Sequence, residues 1–437
     1  MRAGLDAGAT AAIIGLYDSV SRVFGELIGN PPQHVAWVPG RLEVFGTHTD
    51  YAGGRTLVAA VPRGFAFVAA RRTDGLMSVA DATDGERVTV NPLEASPRFR
   101  GWRRYVEVAA ERLARNFPGA DLGADIVFAS NLPRASGLSS SSALVVGIAT
   151  TLVRLAGIRA RPEWTANVSG RLDEAAYYAC IENGLSFGAL GGDAGVGTHG
   201  GSEDHAAMLC STPGAMSAFA FVPMRHLETV PVPPDWRFVI ASSGVTAEKT
   251  GSALEAYNRL AHGAQVLVEL WNHEEAPQPS LAALLSSDRG AFDRLRTIVE
   301  RSSVPGWSAE ALLRRLEHFA AEDRRVLEAV RAFSDADVAA VSALARASQQ
   351  DAEGLLGNQT EETVTLVRTA LDAGAFAARS FGAGFGGSAW ALTDGDGASS
   401  LAERWVSAYR ARCPAGSGSV AFVAAATPPA AVLEHVE

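Results

Sequence analysis

Apolar and polar positions change their period several times along the chain, and each change predicts an element. From residue 8 to about 27, Ala11, Ile14, Leu16, Tyr17, Val20, Val23 and Phe24 recur at the spacing of one helical face and predict an entry helix. Apolar runs at 34–38 and 42–45 read as two strands broken by Pro39-Gly40, and the polar stretch 47–54, punctuated by Gly53-Gly54, reads as a turn. Further strands are expected at 56–62, 65–71, 77–82, 87–90 and 125–128, with helical periodicity at 102–117 and a helix from about 142 to 156. A helix carries Glu174 and Glu182, and residues 206–222 read as a strand pair. The second half alternates strands, at 238–241 and 388–392, with amphipathic helices, at 312–333 and 360–373. This mixture predicts an α/β (α+β) fold.

Length turns that pattern into two lobes. A chain of 437 residues, 47% hydrophobic, exceeds the roughly 250–300 residues at which single cores stop growing. The prolines of the Val-Pro-Val-Pro-Pro run ending at Pro234 suggest where the lobes meet, and a division into 1–228 and 229–437 is expected. Between residues 184 and 201 stand eight glycines, too many for a packed helix, so a long loop with exposed backbone is expected there, a candidate lid.

Charge and composition then exclude function classes. The net charge of −10 offers no footprint for nucleic acid or anionic membrane, and no stretch reaches the roughly 20 apolar residues that span a bilayer. The start of the chain, with Asp6 and no continuous apolar run, does not read as a signal peptide. Cys180, Cys210 and Cys413 lie far apart, which argues against disulfides or a thiolate zinc site and fits a cytoplasmic location. Lys249 is the only lysine and follows Glu248, so a Walker A loop is excluded.

Three segments carry candidate chemistry. Residues 133–144, Pro-Arg-Ala-Ser-Gly-Leu-Ser-Ser-Ser-Ser-Ala-Leu, place a glycine and five hydroxyls ahead of an apolar run, which reads as a phosphate cradle opening a helix. In residues 39–54, Arg41 precedes an apolar strand, and His48, Asp50 and Tyr51 sit on the turn after it. There a carboxylate can accept from sugar hydroxyls and a guanidinium can stabilise a transferring phosphoryl group. In residues 379–390, Gly382, Gly384, Gly386 and Gly387 allow close backbone approach to a ligand before a strand. The same residues also admit a metal-hydrolase reading, with His48, Asp50, His199, Asp204 and His205 as ligands.

Taken in order, the three segments resemble the motifs of the GHMP kinase family of small-molecule kinases, and the first resembles its galactokinase signature. The family pattern Pro-Gly-Arg-Val-Asn-Leu-Ile-Gly-Glu-His-Thr-Asp-Tyr-Asn-Gly-Gly is matched at 39–54. Pro-x-Gly-x-Gly-Leu-Ser-Ser-Ser-Ala is matched from Pro133, with Ala135 for the first glycine and Ser142 for the alanine. Thr-Gly-Gly-Gly-Phe-Gly-Gly is matched at 381–387, and Trp102 and Tyr105 fit a Trp-x-x-Tyr spacing. The resemblance implies a ribosomal-protein-S5-like N-terminal lobe, a ferredoxin-like C-terminal lobe and an active site between them. It implies phosphoryl transfer from ATP with Mg²⁺ to a small-molecule sugar, in a monomer or homodimer.

Residue by residue, the resemblance puts the catalytic base at Asp204, in Gly-Gly-Ser-Glu-Asp-His, with Arg41 beside it. It puts the sugar against Thr47, His48, Asp50, Tyr51, Gly201 and Tyr257, and ATP against Ser136, Gly137, Leu138, Ser139, Ser140, Ser141, Gly384 and Gly386. Mg²⁺ falls to Ser140, Ser141 and Glu182, although Glu182 precedes Asp204 by 22 residues, about twice the expected gap. Two departures stand at the sugar end: Thr47 replaces the family glutamate, and Glu203 replaces the methionine before the catalytic aspartate. They leave open a kinase of another sugar (arabinose, fucose, a uronic acid, a heptose, N-acetylgalactosamine), or a non-catalytic sugar sensor.

Overall fold

The entry helix runs from Ala7 to Ile28 (α1) and buries Ile13, Val20 and Phe24 against the first sheet. The computed structural model describes residues 7–94, 99–133, 136–245 and 252–433, so Asp6, Ala135 and Lys249 lie outside the described residues. After α1 come β1 (His34–Phe45), β2 (Arg55–Arg71), β3 (Met77–Asp81), β4 (Arg87–Val90), α2 (Trp102–Asn116), β5 (Ala124–Ser130) and α3 (Ser140–Leu155). There follow α4 (Pro162–Thr165), α5 (Arg171–Asn183), α6 (Glu203–Cys210), β6 (Ala215–Ala220) and β7 (Arg225–Pro231). The second half holds β8 (Trp236–Ser242), the helices α7 (Ser252–Glu274), α8 (Leu281–Ser287), α9 (Ala291–Arg301), α10 (Ala309–Ser334), α11 (Val338–Asp351) and α12 (Glu361–Asp372), then β9 (Ala377–Phe381), β10 (Ser388–Asp394), α13 (Ala398–Arg412), β11 (Ala421–Ala424) and β12 (Ala431–Leu433).

Two sheets organise these elements. The first is eight-stranded, in the order β12-β1-β2-β5-β3-β4, with β6 pairing the first part of β2 and β7 pairing β6. The second is antiparallel in the order β11-β8-β10-β9, that is fourth, first, third, second in chain order, with the β-α-β-β-α-β connectivity of a ferredoxin-like lobe. The proline run lies between β7 of the first sheet and β8 of the second. Residue 228 falls inside β7, and β12 returns to pair β1, so the first sheet draws on both ends of the chain.

Three local expectations change. The strands expected at 34–38 and 42–45 are one strand, as are those at 56–62 and 65–71. Between the pairs Pro39↔Gly64 and Arg41↔Ala60 the register shifts, so Pro62, which has no N–H to donate, is absorbed in a bulge. The bulge turns the Arg41 N–H away from β2, and it donates instead to the Leu138 carbonyl at 3.2 Å. The strand pair expected at 206–222 begins only at Ala215, because Ala206, Ala207, Met208 and Leu209 belong to helix α6; so short an apolar run does not distinguish helix from strand.

The glycine-rich loop is fastened along much of its length. Arg104 donates to the Gly195 carbonyl (2.7 Å), Arg112 to Leu185 (2.6 Å), Arg115 to Gly192 (3.0 Å) and Asn116 to Gly191 (3.2 Å), so polar side chains of α2 collect its bare backbone acceptors. At its end, Asn258 bonds the Gly197 carbonyl and the His199 N–H, each at 2.9 Å. No helix among the described residues is long and apolar enough to cross a membrane.

Candidate active site

Two neighbouring clefts open where the end of β1, the starts of α3 and α6, and the 381–387 loop meet, and Arg41 and Ala383 line both. The first, an open cleft of about 520 Å³, is lined by Glu43, His48, Asp50, Tyr51, Ser142, Glu182, Gly201, Glu203, Asp204 and Tyr257 among others. Asp204 lies in the first turn of α6, where the helix dipole favours a carboxylate. Arg41 Nε donates to its Oδ1 at 2.5 Å and Ser142 Oγ donates to its Oδ2 at 3.2 Å. Burial works against the Arg41 charge, but Asp204, Glu203 and Glu43 outweigh it and push the pKa upward, so the guanidinium is always charged.

Asp50 forms the floor of this cleft. Its Oδ1 accepts from the Tyr51 N–H at 2.9 Å and its Oδ2 from the Glu203 N–H at 3.1 Å. Burial raises its pKa to about 6, opposed by those two N–H groups and reinforced by the charges of Asp204 and Glu43. Gly201 packs so closely that a Cβ there would lie 1.9 Å from Asp50 Oδ2, so any larger residue must displace the Asp50 carboxylate. His48 Nε2 lies 3.0 Å from the Ala383 carbonyl and therefore carries the proton, while Nδ1 accepts from the Tyr51 hydroxyl at 2.9 Å. Arg315 donates to that same hydroxyl at 3.0 Å, and the Tyr257 ring lies 5.3 Å from the His48 ring.

Burial, then the charge of Glu43, with Asp50 and Asp204 adding and Arg41 opposing, pushes the Glu203 carboxyl well above the usual carboxylate range. Glu182, on α5, reaches the cleft with His205 Nε2 at 3.3 Å from its carboxylate. Tyr105 feels the charge of Glu182 and stands against the serine loop. Its hydroxyl bonds Ser141, and its pKa is pushed up to about 12 by burial and by the Glu182 charge.

The second cleft, about 1690 Å³, joins an aromatic end made by Phe65, Trp102, Tyr105 and Phe128 to a polar end made by Ser136, Gly137, Ser139, Ser140, Ser141, Gly384 and Gly386. Trp102 and Phe128 meet edge to face at 5.2 Å. Ser139, at the N-cap of α3, adopts a left-handed conformation (φ 60°) and makes no side-chain cap, so the first N–H groups of this 16-residue helix are not capped by it. Gly384 has φ 78° and lies against Asn358, whose backbone oxygen a Cβ would approach to 2.4 Å.

Two expected residues sit elsewhere. Thr47 does not line the cleft: its hydroxyl is taken up behind the wall by Glu43 and Arg379. Leu138 contributes its backbone oxygen to Arg41 while its side chain is buried in the main core.

The galactokinase galactose-binding signature matches residues 22–71, the N-terminal domain of GHMP kinases matches 104–181 and the C-terminal domain 326–411. Models of GHMP kinases thus match the chain in three successive segments. The galactokinase of Chloroflexus aurantiacus is 29% identical over 411 residues, covering 90% of this chain and 95% of that one. The galactokinase of Streptomyces coelicolor is 27% identical over 410 residues, covering 90% and 93%. The structure of Lactococcus lactis galactokinase complexed with galactose shares the fold, with a TM-score of 0.78 at 23% identity, covering 95% of this chain and all of that one.

Within this GHMP kinase fold, several site residues escape a reading of sequence alone. Ser142 was visible only as a departure from the family alanine, yet it grips Asp204. Glu43 was visible as an acid inside the apolar run Leu-Glu-Val-Phe; it accepts from Arg379 (3.2 Å) and from the Gly382 N–H (3.1 Å), tying the first segment to the third. Arg315, Phe65 and Phe128 carried no local signal.

Proposed function

We propose that the chain is a sugar kinase that transfers the γ-phosphoryl group of ATP to a monosaccharide hydroxyl, the anomeric C1 hydroxyl of galactose or a related sugar. One observation carries the reading: Asp204, gripped by Arg41 and Ser142, stands on the wall of a polar cleft whose neighbour is a serine- and glycine-lined cleft, with Arg41 facing both. Asp50, His48, Tyr51, Gly201 and Tyr257 bind the sugar. Asp204 accepts the proton as the hydroxyl oxygen attacks the γ-phosphorus and the bond to the β–γ bridging oxygen breaks. Arg41 keeps Asp204 ionised and offsets charge on the transferring group.

Backbone N–H groups of residues 136–140 and the start of α3 hold the phosphates, with Gly384 and Gly386 opposite, and the aromatic end of the second cleft takes the base. When bound, Mg²⁺ neutralises charge on the triphosphate. The oxygen donors of Ser140, Ser141 and Glu182 suit that hard cation, and Tyr105 bonds one of them, Ser141. The metal-hydrolase reading loses support, since both His48 nitrogens are already engaged and no cluster of three or more His, Cys, Asp or Glu among the described residues is arranged to hold a metal.

Asp204→Asn tests the assignment. Sugar-dependent ADP release falls by about 100-fold or more, as expected for loss of a general base, while the Kd for ATP stays within a few-fold. Unchanged turnover would refute it.

A further inference from the structure

Four carboxyl groups line the sugar cleft from the first segment and α6, and three are fully provided for. Glu43 has Arg379 and the Gly382 N–H, Asp50 has two backbone N–H groups, and Asp204 has Arg41 and Ser142. Glu203 is different. Its Oε1 lies 3.1 Å from the same Arg41 amine that Asp204 uses, and its Oε2, sealed from solvent, has no hydrogen-bond partner among the described residues. The residue is only 8% exposed, yet it lines the cleft.

The fold does not require an acid there. The apolar residues Ala206, Ala207, Met208 and Leu209 anchor α6, and the family pattern carries methionine at this position. Four carboxyls face two guanidiniums, Arg41 and Arg379, while Arg315 is spent on the Tyr51 hydroxyl and the His48 carbonyl. An orphaned buried carboxyl oxygen in a negative cleft is a costly arrangement that a cationic ligand relieves.

Building on the kinase reading above, we infer that Glu203 is a specificity-determining residue and that the preferred acceptor is an amino sugar, a hexosamine whose free ammonium group meets Glu203 at a carbon other than the one phosphorylated. Once the Glu203 carboxyl turns Oε2 toward the cleft, the ammonium supplies the donor that this oxygen lacks and a positive charge for the fourth carboxyl. A uronic acid is disfavoured by the same charges. An N-acetylated sugar loses the cation and adds bulk beside a sealed oxygen.

The test uses the full chain with Mg·ATP and compares ADP release with galactosamine, galactose, N-acetylgalactosamine and galacturonic acid at pH 6.5. The expected kcat/KM for galactosamine is at least ten-fold above that for galactose, with galacturonic acid lowest. In Glu203→Met, and in the closer isostere Glu203→Gln, the galactosamine-to-galactose ratio falls at least ten-fold. Galactose used as well as or better than galactosamine by the unaltered protein overturns this inference and leaves the kinase reading standing, as does a ratio unmoved in both variants. No ADP release with any of the four acceptors overturns the reading as a kinase of galactose-series sugars, and the inference with it.

Discussion

Gly201→Ala probes the sugar cleft at its tightest point. The added Cβ would lie 1.9, 2.1 and 2.5 Å from Oδ2, Cγ and Oδ1 of Asp50, where ordinary contact begins at 3.4 Å. Because the 200–203 backbone is tied to Asp50 through the Glu203 N–H, relief requires the carboxylate to retreat by about 1.5 Å. That movement breaks its bonds from Tyr51 and Glu203, each about 1.5–3 kcal/mol for a charged acceptor. Misplacing a substrate-positioning group by about 1 Å costs on the order of 100-fold, so kcat/KM for the sugar is expected to fall by about 100-fold or more. The phosphate loop lies in the other cleft, so the Kd for ATP by calorimetry changes less than about three-fold. Coupled ADP release across sugar concentrations, with a thermal melt to confirm folding, reads the effect. A folded Gly201→Ala protein with unaltered kcat/KM would refute the reasoning that Asp50 holds the sugar.

Ionised Asp50 is a stronger acceptor for a sugar hydroxyl than the protonated acid, and burial raises its pKa to about 6; kcat/KM for the sugar therefore declines as pH falls through 6, with the loss in KM, and a profile flat to pH 5 would contradict this. Ser142→Ala removes one bond to the Asp204 carboxylate at the position where the family pattern has alanine, so kcat falls by about five-fold, about 1 kcal/mol, with KM for ATP unchanged in steady-state assays. Glu322 on α10 accepts from the Gly46 N–H at 3.0 Å and pairs with Arg379 and Arg325, and despite burial those guanidiniums lower its pKa to about 2. Because the folded value lies below the unfolded one, its stabilisation is complete above about pH 4.5 and is lost as pH falls towards 2; Glu322→Gln lowers stability at pH 7 by about 3 kcal/mol in urea unfolding and flattens that acid dependence.

Elements with one clear period were legible in the chain. The entry helix, the strand 87–90 and the helix beginning at Trp102 stand within a residue or two of their expected bounds, because a single buried face dictates their spacing. Breaks were less legible. Pro39-Gly40 looked like an interruption, and 56–62 and 65–71 like separate strands, but a bulge there keeps β1 and β2 continuous, and a bulge is a property of the pair of strands, not of either one. The site divides in the same way. Arg41, Asp50 and Asp204 were recognisable from motifs, whereas Thr47 turned out to face Arg379, 332 residues away, a partner that no local pattern announces. Ser142 and Glu43 act through contacts across segments as well, so their importance emerges only once β1, α3, α6 and the 381–387 loop are brought together.

The proposed work of this constellation is to move a phosphoryl group onto a sugar hydroxyl. Phosphorus and proton NMR of the product formed from Mg·ATP and a galactose-series sugar tests it most directly, because one spectrum reports both transfer and position. The expected product is a sugar phosphate whose phosphorus couples to the anomeric proton, absent with Asp204→Asn. ATP recovered intact with every sugar offered, or phosphate released only to water, would contradict it.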